Sequence, residues 1–138
     1  MVKTEEIKLS TKGPGDLIDV TDLMSEAVQN SGINSGVVTA FVSGSTAGLT
    51  TIEYEPGLLK DLPELMEKLV PSNKSYHHDN TWHDGNGFSH LRSAMIGTDI
   101  TVPFVKGKLL LGQWQQVTFC EFDNRPRSRK VIFQIIGE

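Results

Sequence analysis

The sequence has one cysteine and no long apolar segment, and these two features exclude certain cross-links, metal sites and membrane spans. Its one cysteine, Cys120, excludes an internal disulfide and a cysteine-ligated structural zinc site. Because Cys120 lies in the alternating stretch WQQVTFCEF, we expect a buried core residue rather than a nucleophile. No apolar run approaches the roughly 18–20 residues that span a bilayer. The charged beginning MVKTEEIKLS lacks the apolar core of a signal peptide, so we expect a cytoplasmic protein without membrane contact.

The charge balance disfavours nucleic-acid binding, which depends on lysine and arginine neutralising phosphates. The formal net charge is −4, from 13 basic and 17 acidic residues. One local exception is the stretch DNRPRSRK, which carries Arg125, Arg127, Arg129 and Lys130. This stretch is either a solvated turn or an anion-binding loop.

Strand-like segments occupy both ends of the chain, and helical segments occupy its middle. The strand signals lie at residues 2–9, 36–42, 100–105 and 130–136. The helical signals are a segment from Thr21 to a glycine stop at position 32, a leucine stripe at 58–69 and a short helix at 89–96. Pro63 is expected to divide the leucine stripe into two helices. This order predicts a single α+β domain over residues 1–138, with a mainly antiparallel sheet and helices packed on one face.

All four histidines fall within one stretch, YHHDNTWHDGNGFSH, from Tyr76 to His90. The stretch has no periodicity and is interpreted as a long loop, which in a compact domain is usually functional or disordered. Imidazole is a common ligand of zinc and related ions, so His78, His83 and His90 are candidate metal ligands. Their spacing matches no compact signature such as HExxH. Exposed or hydrogen-bonded loop histidines are the alternative.

Two carboxylates are candidates for acid–base chemistry. Asp84 could orient a ligating imidazole or act as a general base, although the sequence DGNG is equally typical of an Asx turn. Glu53 stands in a strand-like context, where carboxylates are depleted. It is either a sheet-surface residue or an acid that faces a site.

Substrate-binding candidates come from three further places. The stretch SGSTAGLTT offers the hydroxyls of Ser45 and Thr46 and backbone N–H groups for an anion, but it lacks the lysine of a P-loop. Arg92 could bind phosphate, or it is a surface arginine. Trp114 and Gln115 lie where a strand restarts, and most tryptophans in such places belong to a core or an interface.

The order of motifs resembles the YjbQ-like family, often labelled secondary thiamine-phosphate synthase. The resemblance runs from about Leu9 to Gly137 and includes STAGLTTIE, SHLRSAMIG and the LGQWQQ block. It implies a compact α+β subunit, a homotrimer and clefts lined by the histidine loop. The positions that match the family's motifs are Thr46, Glu53, His78, Asp84, His90, Trp114 and Gln115.

The chain departs from the family's pattern at two places. Many bacterial members have a histidine in the loop that here reads Ser43-Gly44-Ser45-Thr46, and many have threonine where this chain has Gln113. We therefore hypothesise that His83 supplies the third imidazole.

Two classes of function follow from the resemblance and the residues. One is an enzyme with a divalent metal, which would join a pyrimidine pyrophosphate to a thiazole phosphate, or would hydrolyse a substrate instead. The other is a non-enzymatic trimer that binds a small anionic metabolite. Pyrophosphate-releasing enzymes commonly use Mg²⁺ on carboxylates, whereas a histidine-rich site favours zinc, with nickel or iron as alternatives.

Overall fold

The computed structural model describes all of residues 1–138 and contains eight strands and four helices. The strands are β1 (Val2–Ser10), β2 (Leu17–Asp19), β3 (Gly36–Val42), β4 (Ala47–Ile52), β5 (Asp99–Val105), β6 (Lys108–Leu109), β7 (Gln116–Glu121) and β8 (Ser128–Gly137). The helices are α1 (Thr21–Ser31), α2 (Pro56–Leu69), α3 (His77–Trp82) and α4 (Gly87–Ile96). No helix is both long enough and apolar enough to cross a membrane.

The strands form two antiparallel sheets. One has five strands in the order β1-β8-β3-β5-β6, and the other has three in the order β2-β7-β4. Strand β8 lies between β1 and β3, and Phe133 pairs with Glu5 on one side and with Ala40 on the other. The predicted α+β class and the antiparallel pairing are confirmed.

The main core lies between the two sheets. Inward-facing residues of β3 and β8, such as Val38 and Phe133, belong to the same buried cluster as Leu49 of β4 and Phe119 of β7. Met24 of α1 completes this cluster. Because a strand points alternate side chains to opposite faces, the other face of the three-stranded sheet needs its own cover.

Helices α2 and α4 supply that cover. Met66 of α2 packs with the buried Leu17, Cys120 and Phe122 in a second cluster, and Ile96 of α4 lies against it. Burial raises the pKa of the Cys120 thiol to about 12, so Cys120 is the core residue that its alternating context predicts. Two of the four helices therefore pack on one face of a sheet, as predicted.

Two predicted details were wrong. The histidine stretch is not one long loop, because residues 77–82 form α3. Pro63 lies inside α2 and does not divide it. A proline removes one backbone donor from a helix, and its ring here lies 3.8 Å from the position that a Cβ on Gly15 would take. Packing of α2 on the sheet thus outweighs the lost hydrogen bond.

We expect the second cluster to depend on Met66. Truncating a buried methionine to alanine leaves a cavity and costs about 2–5 kcal/mol, so Met66→Ala should lower the free energy of unfolding by that amount. Leu69 lies on the same helix but is 58% exposed, so Leu69→Ala is the matched control and should cost under about 1 kcal/mol. Urea titration followed by circular dichroism measures both. Equal losses in the two variants would contradict the packing of α2 described above.

Candidate functional site

Three segments that are far apart in sequence enclose a polar cleft of about 560 Å³. They are the loop after β3, the α3–α4 segment, and the turn between β7 and β8. No hydrophobic residue lines the cleft. Its lining residues are Ser43, Gly44, Ser45, Thr46, Asp84, Asn86, His90, Arg125, Arg127, Ser128, Arg129 and Lys130.

Two histidines from neighbouring helices meet beside the cleft. The ring centroids of His78, on α3, and His90, on α4, are 4.4 Å apart with a 40° angle between the rings. The Nδ1 atom of His78 is buried and has no hydrogen-bond partner in the chain. It lies 3.8 Å from an oxygen of Asp79 and 3.8 Å from an oxygen of Asp84. Buried polar atoms normally have partners, so this nitrogen is available to a ligand.

Asp79 holds the two helices in this arrangement. Its carboxylate accepts one hydrogen bond from the N–H of Tyr76, at 3.0 Å, and one from the N–H of Gly87, at 2.9 Å. These backbone donors at the starts of α3 and α4 lower the pKa of Asp79. A Cβ at position 87 would lie 2.7 Å from the Cβ of Tyr76, so glycine is required for this close approach.

Asp84 follows the end of α3, which His83 terminates in the left-handed conformation with φ of 59°. The Asp84 carboxylate is half exposed and accepts no hydrogen bond within the chain, while its backbone carbonyl accepts one from the side chain of Asn124 at 2.9 Å. The Asn124 bond ties the segment between α3 and α4 to the turn after β7. Asp84 therefore presents a free carboxylate to the cleft beside His78.

The floor of the cleft is a buried ion pair. Arg129 and Glu121 are 8% and 0% exposed, and Nε of Arg129 donates to the Glu121 carboxylate at 2.7 Å. The Nη2 group of Arg129 also donates to the hydroxyl of Thr46 at 2.8 Å. Opposite charges brought out of water need this pairing, because a lone buried charge is very costly.

A second buried carboxylate, Asp123, organises the wall. It is 1% exposed, pairs with Nε of Arg127 at 2.9 Å and accepts a hydrogen bond from the side chain of Asn86 at 3.3 Å. Asn86 precedes α4, which carries His90. Arg125, two residues before Arg127, is exposed and forms no ion pair or side-chain hydrogen bond. The histidine side and the arginine side of the cleft thus share Asp123 as a brace.

Four of the predicted site residues come together at this cleft, and a fifth lies beside it. The cleft is lined by Ser45, Thr46, Asp84 and His90. It is also lined by the arginine-rich turn, for which the sequence allowed an anion-binding role. His78 lies behind His90. The ligand atoms that lie within 4.8 Å of one another belong to His78, Asp79 and Asp84, and neither the exposed His83 nor His90 is in this group.

Arg92 lies outside the cleft. Its side chain is buried and donates to the backbone carbonyl of Val70 and to the carboxylate of Glu67, the latter at 2.9 Å. Hydrogen bonds from Ser72 and Arg92 lower the pKa of Glu67. Arg92 thus fastens α4 to the end of α2.

Glu53 and Trp114 line a separate cleft of about 380 Å³ that shares no residue with the first. Gln115 caps the turn before β7, where its side chain accepts a hydrogen bond from the N–H of Gly112 at 2.8 Å. Within one chain, the positions that match the family's motifs therefore fall into two groups.

The structural role of Glu121 and Asp123 was not visible in the sequence. The spacing of Arg125, Arg127 and Arg129 was a sign that an arginine could be buried there. Residues two apart in an extended segment point to the same side. Arg129 lies two residues before the inward-facing Val131 on β8, so its side chain points inward as well. A charged residue at an inward position requires a buried partner, which the sequence could not identify.

We expect His90 to titrate below its ordinary pKa of 6.5, because burial and then the neighbouring His78 charge lower it. The unfolded chain then binds the proton more readily, so the free energy of unfolding falls as the pH drops below about 6.5. NMR titration of chelator-treated protein should give a midpoint below 6.5. His78→Gln should raise that midpoint and Asp84→Asn should lower it, because Asp84 raises the pKa of His90. A wild-type midpoint above 6.5 would contradict this geometry.

Comparison with known proteins finds relatives that match nearly the whole chain. Residues 5–138 match the family described as UPF0047 protein YjbQ-like. A UPF0047 protein of Archaeoglobus fulgidus is 40% identical over 95% of this chain and 99% of its own length. The UPF0047 protein YugU of Bacillus subtilis is 32% identical over 99% of this chain and 100% of its own length.

A crystal structure of a YbjQ-like protein of unknown function from Sulfolobus solfataricus superposes with a TM-score of 0.93 at 31% identity. That alignment covers 100% of this chain and 99% of the other. A hypothetical protein from Aeropyrum pernix gives a TM-score of 0.90 at 30% identity, over 99% of each chain. Because the match extends over nearly the whole length in both sequence and structure, the chain belongs to the UPF0047 YjbQ-like family.

Proposed function

We propose that this protein is a small-molecule enzyme that acts on a phosphorylated substrate in the cleft beside His78, Asp84 and His90. One observation carries the proposal. The unpartnered Nδ1 of His78 lies 3.8 Å from the carboxylate of Asp84, next to a cleft that arginines line. Perturbed or unpaired polar groups beside a cleft are typical of functional sites.

We propose that the same residues hold a divalent metal. Two ligand atoms that each bind a zinc ion at about 2.1 Å with tetrahedral angles lie about 3.4 Å apart. The 3.8 Å between His78 Nδ1 and Asp84 is close to that separation, so a shift of a few tenths of an ångström suffices. His90 is the next donor, because its ring contacts that of His78. Imidazole with carboxylate suits zinc, nickel or iron better than magnesium, and such an ion would stabilise negative charge on a departing group.

The resemblance to secondary thiamine-phosphate synthases supplies a specific reaction for this proposal. The nitrogen of a thiazole phosphate would attack the methylene carbon of a pyrimidine pyrophosphate. A C–N bond forms, the C–O bond breaks, and pyrophosphate leaves with the electron pair. The chain's cationic side chains would stabilise the leaving group, and no proton has to be removed.

A metal-dependent hydrolase is the second candidate, and the free carboxylate of Asp84 favours it. That carboxylate is half exposed and accepts no hydrogen bond within the chain. Hydrolysis needs a base that takes a proton from water, whereas the coupling reaction needs none. Glu53, our other acid–base candidate, can take part only if another copy of the chain brings it to the cleft.

We expect tag-free protein to bind about one transition metal per chain and to release pyrophosphate from the two thiamine precursors. Asp84→Asn and His78→Ala should each lower the metal content and reduce turnover by at least about a hundredfold, as expected for loss of a ligand or an essential charge. Mass spectrometry measures the metal, and a coupled assay measures pyrophosphate.

His77→Ala is the matched control, because His77 is exposed and lines neither the cleft nor the neighbouring space that His90 also lines. It should leave metal content and turnover unchanged. Release of phosphate from simple esters without any coupling would favour the hydrolase. Tight ligand binding without turnover of any substrate would leave a binding protein and contradict both enzymatic proposals.

We also propose that the chain forms the homotrimer that the resemblance implies, through the outer face of the five-stranded sheet. Val37, Phe41 and Ile136 are 39%, 43% and 49% exposed on that face, and Val37 pairs directly with Ile136. Contiguous exposed apolar residues commonly mark interfaces. Two separate groups of motif residues in one chain also favour a site completed by a second chain.

Light scattering should give a mass of about three chains for the wild type at micromolar concentration. Phe41→Glu should reduce the mass towards one chain, because a buried unpaired charge opposes association. Leu69→Glu is the control, since Leu69 is an exposed apolar residue on α2, and it should not change the mass. A monomeric wild type, or a trimer that Phe41→Glu leaves intact, would contradict the proposed interface.

A further inference from the structure

The arginine side of the cleft contains hydrogen-bond donors that nothing in the chain uses. Arg129 donates through Nε and Nη2 to Glu121 and Thr46, while its Nη1 group donates to no protein acceptor. Arg129 is only 8% exposed, so this free donor belongs to a fixed side chain. A buried charged group with an unused donor at a cleft is suited to an anionic ligand.

The loop after β3 faces the same donor. A Cβ on Gly44 would lie 3.1 Å from Nη1 of Arg129, so the glycine backbone and the guanidinium lie in close contact. The backbone N–H groups of Gly44 and Ser45 donate to no acceptor in the chain. Free backbone N–H groups and a guanidinium beside them can both donate hydrogen bonds to one anion.

The side chains that line the cleft carry more positive than negative charge, and most of the positive ones are paired with carboxylates outside the lining. Its lining side chains carry four positive charges, on three arginines and one lysine, and one negative charge, on Asp84. Glu121 and Asp123, beneath the lining, neutralise Arg129 and Arg127. Lys130 lies 3.6 Å from Glu6 at the surface. Arg125 has no carboxylate partner and is free to contact a ligand at the rim.

A second space of about 320 Å³ continues the cleft past His90. It shares Gly44, Ser45 and His90 with the first space, and it is otherwise lined by Ser93, Ala94, Gly97 and Thr98. No charged arginine or lysine lines this part. The continuous cleft therefore has a cationic compartment and an uncharged compartment, with His90 at their junction.

We propose that Arg125, Nη1 of Arg129 and the N–H groups of Gly44 and Ser45 form a subsite for a terminal phosphate or diphosphate group. The organic part of the same molecule extends past His90 towards Ala94 and Gly97. The substrate class is thus a compact organic phosphate or diphosphate ester, and the bond next to its phosphate lies beside His90. This assignment rests on the proposed function for its substrate, whereas the anion subsite can be tested without any reaction.

The test uses inorganic pyrophosphate and inorganic phosphate as separate probes with the full chain in a phosphate-free buffer. Calorimetry should show saturable binding of at least one probe. The amide NMR signals of Gly44 and Ser45 should shift as that probe is added. Arg125→Gln should weaken binding by about tenfold, the loss expected for one charge-assisted hydrogen bond.

Two further variants separate an anion subsite from a general charge effect. Lys60→Gln removes one exposed positive charge on α2, away from the cleft, and should leave binding unchanged. Gly44→Ala keeps every charge but places a methyl group 3.1 Å from Nη1 of Arg129, so it should weaken binding. Equal loss of affinity in Arg125→Gln and Lys60→Gln would overturn the subsite, as would binding without any shift at Gly44 and Ser45.

Activity measurements distinguish a failure of the subsite from a failure of the proposed function. Arg125-dependent pyrophosphate binding without turnover of any phosphorylated substrate would support the subsite and contradict the enzyme. Turnover with an unchanged KM in Arg125→Gln and Gly44→Ala would support the enzyme and overturn the subsite.

Discussion

Arg129 and Glu121 are both buried beside the connection from β7 to β8, one of several places where the chain crosses between its two sheets. Glu121 ends β7 of the three-stranded sheet, and Arg129 is the second residue of β8 in the five-stranded sheet. Thr46, which Arg129 also contacts, lies on the crossover in the other direction, from β3 to β4. Each charge alone would be uncompensated, at a cost of about 3–5 kcal/mol. One ion pair therefore holds both crossovers together.

The chemistry of the cleft follows from how this pair is used. Glu121 accepts hydrogen bonds from Nε and Nη2 of Arg129, Thr46 also accepts from Nη2, and the Nη1 group is left facing the loop at Gly44. Asp123 pairs with Nε of Arg127 and also accepts a hydrogen bond from Asn86 at the start of α4. Buried carboxylates thus fix the orientation of guanidinium groups whose outer N–H donors remain free. A cationic surface built this way loses little entropy when it binds an anion.

The histidine side depends on helix ends rather than on a buried ion pair. Helix α3 is too short to be stable alone, yet Asp79 satisfies backbone donors at the start of both α3 and α4. The left-handed His83 ends α3 and reverses the chain, which brings His78 against His90. The positions of these two imidazoles are therefore a consequence of capping and of one tight turn.

Local sequence signals were sufficient wherever a structure depends on neighbouring residues. The apolar segment 130–136 correctly indicated strand β8, although Ile136 is half exposed and the strand is not covered on both faces. The short helix ends at Gly97 as predicted. The KGK turn connects β5 to β6 through Lys106 and Gly107, both with positive φ. The prediction that Pro63 divides the helix was wrong. The free-energy cost of a proline inside α2 is smaller than the free energy gained when α2 is buried against the sheet.

The sequence by itself determined the α+β class, the antiparallel strands, the histidine-rich segment and the basic turn, because periodicity and turn chemistry act over a few residues. Only the tertiary structure decided which charged residues are structural and which are free. Arg92 and Arg129 look alike in sequence, yet one fastens two helices and the other forms the floor of the cleft. Arg92 pairs with Glu67, 25 residues away, and Arg129 contacts Thr46, 83 residues away, in addition to Glu121. Contacts over such distances depend on the packing of the whole domain.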